Sequence, residues 1–300
     1  MQKSSEMANN PTPLITIGIP VYNEARFIEE SLKSILAQDY PNLEIILSDN
    51  RSTDSTLGIS RDVLSQFVNA HILVSAENEG ATRNFQKVLD KASGKYFMWA
   101  SGHDLWAVNY LSRTVEALEK NPSAVLAFGT SQWIDEEGRE LKKHFGYTDT
   151  RGMHPVARFL TVFYGNMNPV LGVFRRESLL SADPLRAVIG ADLILLTQLS
   201  LMGDFIHVPE TMWKRREFRH EQTHAEKVAR YTSDGYSLAK KSIDKKLPLI
   251  RLPLYITRVI AKSRISCLEK IALMLSVIFS LPVRYISGKR IYRTNCETRS

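Results

Sequence analysis

A chain of 300 residues with 44% hydrophobic and 24% charged residues has the composition of a folded globular protein, long enough to bury a full core without disulfides or structural metal. Its two cysteines, Cys267 and Cys296, form no CxxC pair and lie near no histidine cluster, which disfavours a zinc motif and fits a reducing, cytosolic setting. The net charge of +7 is gathered late in the chain, where residues 245–295 hold eleven Lys or Arg and one acid, Glu269.

In chain order, the opening MQKSSEMANNPTP is polar, lacks the apolar core of a signal peptide and predicts a loose tail over 1–12. LITIGIP, 14–20, predicts a buried strand that Pro20 ends. In EARFIEESLKSILAQ, Phe27, Ile28, Ser31, Leu32, Ile35 and Leu36 recur at helical spacing. LEIILS, 43–48, predicts a second strand, and Ser52 or Asp54 can cap the helix that follows it. HILVS (71–75), KYFMWA (95–100) and AVLAFG (124–129) predict further strands, with helices through ATRNFQKVLDKA and NYLSRTVEALEKN between them.

Beyond 130 the pattern loosens. WIDEEGREL predicts a hairpin around Glu137-Gly138, and GNMNPVLGVFRRESLL a short strand and a helix. GADLILLTQLSLMG predicts an apolar helix with Asp192 near its N-terminus, where the helix dipole favours a carboxylate, and DFIHVPETMWKRREF a pair of strands. From about 221, basic helices broken by Pro248, Pro253 and Pro282 take over. The longest apolar-rich stretch there, IALMLSVIFSLPV at 271–283, is shorter than the about 20 residues that span a bilayer.

Alternating strands and helices imply an open α/β sheet, parallel in its first half, with ligands bound beyond the carboxyl ends of the strands. Polar clusters sit at those ends: Pro20-Val21-Tyr22-Asn23-Glu24, Ser48-Asp49-Asn50, Glu77-Asn78 and Gly102-His103-Asp104. Their order predicts one cleft. The first loop, GIPVYNEA, carries no GxGxxG, and the chain has neither GxxxxGK[ST] nor a Gly-x-Ser-x-Gly elbow. That disfavours a dinucleotide-binding enzyme, a P-loop NTPase and an α/β-hydrolase.

Four motifs follow one another: ITIGIPVYNEARFIEESLKSILAQDYP, then SDNRSTDST, then ENEGATRNFQKVLDKASGKYFMWASGHDLW, then GADLILLTQLSLMGDFIHVPETMWKRRE. In them the chain resembles the family 2 glycosyltransferases of the GT-A fold over roughly residues 13–217. The resemblance implies an α/β, GT-A (Rossmann-like) nucleotide-diphospho-sugar transferase fold with a mixed sheet over 13–220, its nucleotide-binding half 13–130 and its acceptor half 131–220. A basic helical extension over 221–300 follows. It further implies an inverting transfer from a nucleoside-diphosphate sugar, typically a UDP-sugar, to a hydroxyl of a saccharide or lipid-linked acceptor, in cell-surface polysaccharide or glycolipid synthesis. The rivals are a nucleotidyltransferase on a similar sheet and a non-catalytic nucleotide-sugar-binding homologue.

Carried over residue by residue, the resemblance implies that Pro20, Tyr22 and Glu24 line the floor of the nucleotide site and that Asp49 accepts a hydrogen bond from the base. Asn78 and Arg83 would lie near the nucleotide and its phosphates. Arg215 and Arg216 suit a diphosphate, with a plain surface charge as the alternative. Asp192 matches the family's catalytic base. Gly102-His103-Asp104 stands where the family commonly has two acids that hold a divalent cation, Mn²⁺ or Mg²⁺. Three readings of that place are open: Asp104 holds the metal alone, His103 is a second ligand or a diphosphate contact, or the site works without metal. His220 and His224, at i and i+4, are further candidate ligands or plain surface residues.

The same alternatives stay open for the simpler roles. Tyr22, Asn23 and Glu24 can cap a helix, Asp49 and Asn50 can be turn residues, and Asp192 can be an N-terminal helix carboxylate alone. Expected partners are the donor, the acceptor and, through the basic residues of 245–295, an anionic membrane surface; no nucleic acid is expected. That predicts a cytoplasmic protein, peripheral at the cytosolic face of a membrane. A helical subdomain packed on the core or a dimer surface is the alternative for the extension.

Overall fold

The computed structural model describes residues 12–143, 149–165, 168–182, 190–218 and 251–280. The expected tail over 1–11, His220 and His224, and residues 221–250 and 281–300 of the extension lie outside the described residues.

Eight strands, β1 (Ile15–Val21), β2 (Leu43–Asp49), β3 (Ala70–Val74), β4 (Tyr96–Trp99), β5 (Leu105–Trp106), β6 (Ala124–Ile134), β7 (Val173–Arg175) and β8 (Asp204–Arg216), form one sheet in the order β3-β2-β1-β4-β7-β6-β8-β5. β3, β2, β1 and β4 are parallel, β7 is antiparallel to β4 and to β6, β6 and β8 are parallel, and β5 is antiparallel to β8. The sheet is thus mixed, as expected, and parallel in its first half. β6 runs through residue 130, so both expected halves share the sheet.

The helices are α1 (Ile28–Leu36), α2 (Thr56–Leu64), α3 (Ala81–Lys91), α4 (Tyr110–Lys120), α5 (Pro155–Tyr164), α6 (Arg176–Ser181), α7 (Ala191–Met202) and α8 (Arg251–Lys262), with a further helix over 267–280. Strand alternation divides the core between the two faces of the sheet. Ile15, Ile17, Ile19 and Val21 of β1, Ile45 and Leu47 of β2, and Tyr96 and Met98 of β4 pack on the face that α1 and α4 cover. Phe97 and Trp99 face the other way, against Val88 and Leu89 of α3 and Leu195, Leu196 and Leu199 of α7. Each such fully buried apolar side chain contributes about 1.5–3 kcal/mol. Gly18 lets α3 approach β1: a Cβ there would stand 2.7 Å from Val88 Cγ2.

One expected feature differs. DFIHVPETMWKRREF forms a single strand, β8, rather than two. Its pairing with β6 steps from Gly129–Val208 to Thr130–Met212, so Pro209, Glu210 and Thr211 bulge out of the ladder. Proline has no N–H to give a ladder, and the bulge tolerates it. The hairpin around Gly138 is present, with a positive φ of 83° at that glycine and a bridge between Ile134 and Glu140. β5 and α5 were not expected. β5 is two residues long, too short to show a period. α5 opens on Pro155, whose ring suits the first helical position, and the His154 ring accepts the Val156 N–H there.

Candidate active site

The carboxyl ends of β1, β2 and β4 carry the expected polar clusters, and side chains tie them together. Asn23 takes a positive φ of 54°, a conformation asparagine tolerates better than most residues. Its Oδ1 accepts the Thr53 N–H at 2.8 Å, and its own N–H donates to Ser52 Oγ at 3.0 Å, which joins the β1 and β2 loops. Pro20 is buried within β1, while Tyr22 is exposed at 42% and free to meet a planar ring.

Asp49, at the end of β2, is buried. Its Oδ2 accepts the Ser52 N–H at 3.1 Å, but its Oδ1 is buried without a hydrogen-bond partner. Nearby, Asn84 of α3 donates from Nδ2 to the carbonyls of Val21 and Ser48, and its Oδ1 is likewise buried and unpartnered. Ser48 Oγ and Ser101 Oγ are in the same condition. Buried polar atoms are nearly always satisfied, so these four, at the ends of β2 and β4 and on α3, are candidates for contact with a polar ligand. Sequence reasoning missed Asn84. Its signal was a short amide one turn before Val88 on the buried face of α3, where an apolar residue would ordinarily sit.

Other predicted residues serve as fasteners. Asn78 Oδ1 accepts from Asn50 Nδ2 at 2.7 Å and from the Gly80 N–H at 2.9 Å, which shapes the turn into α3. Arg83 is exposed on α3, its Nε 4.0 Å from Glu79.

At the end of β4, Gly102 is close-packed: a Cβ would lie 3.0 Å from Val21 Cγ1 and 3.2 Å from Glu24 Cβ. His103 Nδ1 lies 3.1 Å from Glu24 Oε2, and its ring meets Phe218 edge-on with centroids 4.8 Å apart. Asp104 is turned inward and buried, and its Oδ1 accepts the backbone N–H of Arg216 at 2.9 Å. One oxygen of the carboxylate thus anchors the end of β8. The buried Arg216 guanidinium donates to the carbonyls of His103, Asp135 and Glu136 and to Glu30 Oε2 at 2.6 Å, so it clamps loops together.

Arg215, one residue earlier and on the other side of the strand, is the cation turned toward the second wall. It lies over the Trp133 ring at 4.4 Å, and its Nη1 donates to Asn168 Oδ1 at 3.0 Å. Asp192 lies in the first turn of α7, as expected. Asp192 is exposed. Desolvation pushes its pKa above the usual carboxylate range, and the positive charge of Arg215 pulls it back. A carboxylate of this kind accepts a proton more readily near neutral pH.

No group of three or more His, Cys, Asp or Glu side chains gathers to hold a metal among the described residues. His103 Nε2 and Asp104 Oδ1 are 3.9 Å apart, and the latter already accepts an N–H. Two such donors do not make a resident metal site. They fit a cation that arrives with a diphosphate, whose oxygens and water complete the shell.

The sequence from Thr16 to Arg176 matches the family model described as Glycosyl transferase family 2. The chain belongs to glycosyl transferase family 2. Within that family it is 30% identical over 138 residues to a Bacillus subtilis protein that bears the name of a teichuronic acid biosynthesis glycosyltransferase, TuaG. That match covers 45% of this chain and 53% of the relative. An uncharacterized glycosyltransferase of Haemophilus influenzae is 29% identical over 170 residues, covering 56% of this chain and 64% of that one. The matches thus span less than two thirds of these relatives' own length. Among solved structures, TarS 1–349 of S. aureus in complex with UDP-GlcNAc aligns at a TM-score of 0.64 and 18% identity, over 89% of this chain and 73% of that one. The mannosyltransferase PcManGT of Pyrobaculum calidifontis, in complex with GDP-Man and Mn²⁺, aligns at 0.56 and 20%, over 93% and 84%. These likenesses show a shared fold over 89% and 93% of the chain.

Proposed function

We propose that this family 2 member transfers a sugar from a nucleoside diphosphate to an acceptor hydroxyl with inversion, in the building of a cell-surface polysaccharide or glycolipid. The observation that carries the donor assignment is the buried, unpartnered Asp49 Oδ1 at the end of β2, together with the unpartnered Oδ1 of Asn84, whose Nδ2 reaches the Val21 and Ser48 carbonyls from α3. An acceptor oxygen there suits the ring N–H of a base such as uracil, and Tyr22 is exposed for stacking. Pro20 and Glu24 shape the floor, and Asn78 and Arg83 line the approach from α3.

The reaction is a single displacement. The acceptor oxygen attacks the anomeric carbon as the bond from that carbon to the diphosphate oxygen breaks, and the electron pair leaves with the diphosphate. The acceptor's proton passes to the Asp192 carboxylate, whose raised pKa favours taking it. Arg215 lies beside that wall and balances negative charge near it. A divalent cation bound with the diphosphate, reached by His103 and Asp104, would offset the charge of the leaving group. Imidazole suits Mn²⁺ better than Mg²⁺. The acceptor is a saccharide or lipid-linked hydroxyl compound.

The test is a panel of nucleotide sugars, with and without Mn²⁺, read by thermal shift and by release of nucleoside diphosphate. Stabilisation by a nucleotide sugar and release that Asp192→Asn abolishes are expected. Stabilisation without release in the unaltered chain, across the panel and with saccharide acceptors added, would favour a binding homologue. No stabilisation by any donor would remove the reading.

A further inference from the structure

The helix over 267–280 is apolar on two opposite faces. Leu273 and Val277 are fully buried against Phe159 and Phe163 of α5, Ile194 of α7 and Ile256 and Ile260 of α8. On the other side Leu268 (80%), Ile271 (56%), Leu275 (49%), Ile278 (55%) and Phe279 (74%) are exposed. Steps of three and four residues set these five along one stripe of the helix. Scattered exposed apolar residues are ordinary; five along one stripe mark a contact surface.

The charges of residues 251–280 are mostly positive. Arg258, Lys262 and Arg264 are exposed and Lys270 is half-buried. The only acid between 251 and 280 is Glu269. Its carboxylate is already engaged, with Oε2 accepting the Ser266 N–H at 2.7 Å and Oε1 3.2 Å from His154 Nε2. Between α7 and α8 a cavity of about 540 Å³ is lined by Ile194, Met202, Tyr255, Arg258, Lys262 and Arg264, apolar walls with cations among them. No helix among the described residues is long and apolar enough to cross a membrane.

We infer that the exposed face of 267–280 lies in the headgroup region of an anionic bilayer, with Leu268, Ile271, Leu275, Ile278 and Phe279 in the acyl boundary and Arg258, Lys262 and Arg264 against the lipid phosphates. An exposed apolar stripe in a segment whose exposed charges are basic is the pattern of a helix that lies in the interface and does not span it. A second copy is the poorer occupant, because a symmetric contact would set each basic cluster near its equal. The same buried face that docks the helix on α5 and α7 would hold the helix bearing Asp192 close to the membrane surface. The inference stands independently of the donor assignment, since vesicle binding needs no nucleotide sugar.

Cosedimentation of the full chain with phosphatidylcholine vesicles, with and without phosphatidylglycerol, tests it. Binding that requires phosphatidylglycerol and weakens as salt rises is expected. The triple change Arg258→Gln, Lys262→Gln, Arg264→Gln should lower the partition coefficient about a hundredfold, at roughly tenfold or less for each cation. The pair Leu268→Glu, Phe279→Glu should lower it by about tenfold or more at unchanged melting temperature, and Phe279→Ser serves if that pair unfolds. A chain that stays in the supernatant with both vesicle types overturns the inference. So does binding that neither variant weakens, or a dimer that the paired change dissociates without any vesicle binding.

Discussion

The two walls of the cleft handle their polar groups differently. On the donor wall, at the ends of β1, β2 and β4, most polar side chains hold one another: Asn23 binds the β2 loop, Asn78 binds Asn50 and the turn to α3, and Asp104 binds the end of β8. What remains unpartnered is a small buried set around Asp49 Oδ1 and Asn84 Oδ1. On the acceptor wall, Asp192 reaches solvent with its pKa raised by its surroundings, and Arg215 reaches toward it from β8. One wall is a preformed set of acceptors in fixed positions, suited to recognising a constant ligand. The other presents the Asp192 carboxylate, its pKa raised by desolvation and lowered by the Arg215 charge, and carries the proposed proton transfer. The walls meet at β8, where Arg216 clamps the donor side and its neighbour Arg215 serves the acceptor side.

Four substitutions break or sharpen that contrast. Asp192→Asn keeps the shape of the acceptor wall and removes its base, so turnover should fall by about a hundred- to ten-thousandfold in a diphosphate-release assay while donor affinity holds. Asp49→Ala should do the reverse, weakening nucleotide-sugar binding by roughly ten- to a hundredfold in calorimetry, the worth of a hydrogen bond to a charged group. Arg216→Ala should lower unfolding stability by about 2–3 kcal/mol in denaturant titration, because the carbonyls of His103, Asp135 and Glu136 lose buried donors.

Arg215→Gln should have the smallest effect, seen in the pH–rate profile. A base works deprotonated, so the rate falls as pH drops through the Asp192 pKa. Arg215 lowers that pKa; its removal should move the acid limb to higher pH. An unmoved limb would mean that Asp192 is not the titrating base.

The sheet was legible because strand periodicity and helix periodicity alternate cleanly from Ile15 to Lys120, and the motifs at strand ends fall where a parallel sheet puts them. Asp49 ends β2 and Asp192 lies in the first turn of α7, the places expected of them from the sequence. Asn84 was not legible, since a helix residue that points under the sheet announces itself only through packing. The orientation of Asp104 and Arg216 was not legible because sequence shows charge and not direction: the Asp104 carboxylate accepts the Arg216 backbone N–H, and the Arg216 side chain donates to the His103 carbonyl. The single strand β8 was read as two because the bulge at Pro209 looks, in sequence, like a turn. The exposed stripe of 267–280 was visible as an apolar run, but only burial separates its docked face from its open one.

The central claim is that the unpartnered acceptors at the end of β2 and on α3 seat a nucleoside-diphosphate sugar. Calorimetric titration of UDP-sugars, and of GDP-sugars as the alternative base, into the unaltered chain, Asp49→Ala and Asp192→Asn in the presence of Mn²⁺ tests it most directly. The account predicts binding to the unaltered chain, loss of about ten- to a hundredfold in Asp49→Ala and unchanged affinity in Asp192→Asn. Equal affinity in all three proteins, or binding lost only in Asp192→Asn, would contradict it.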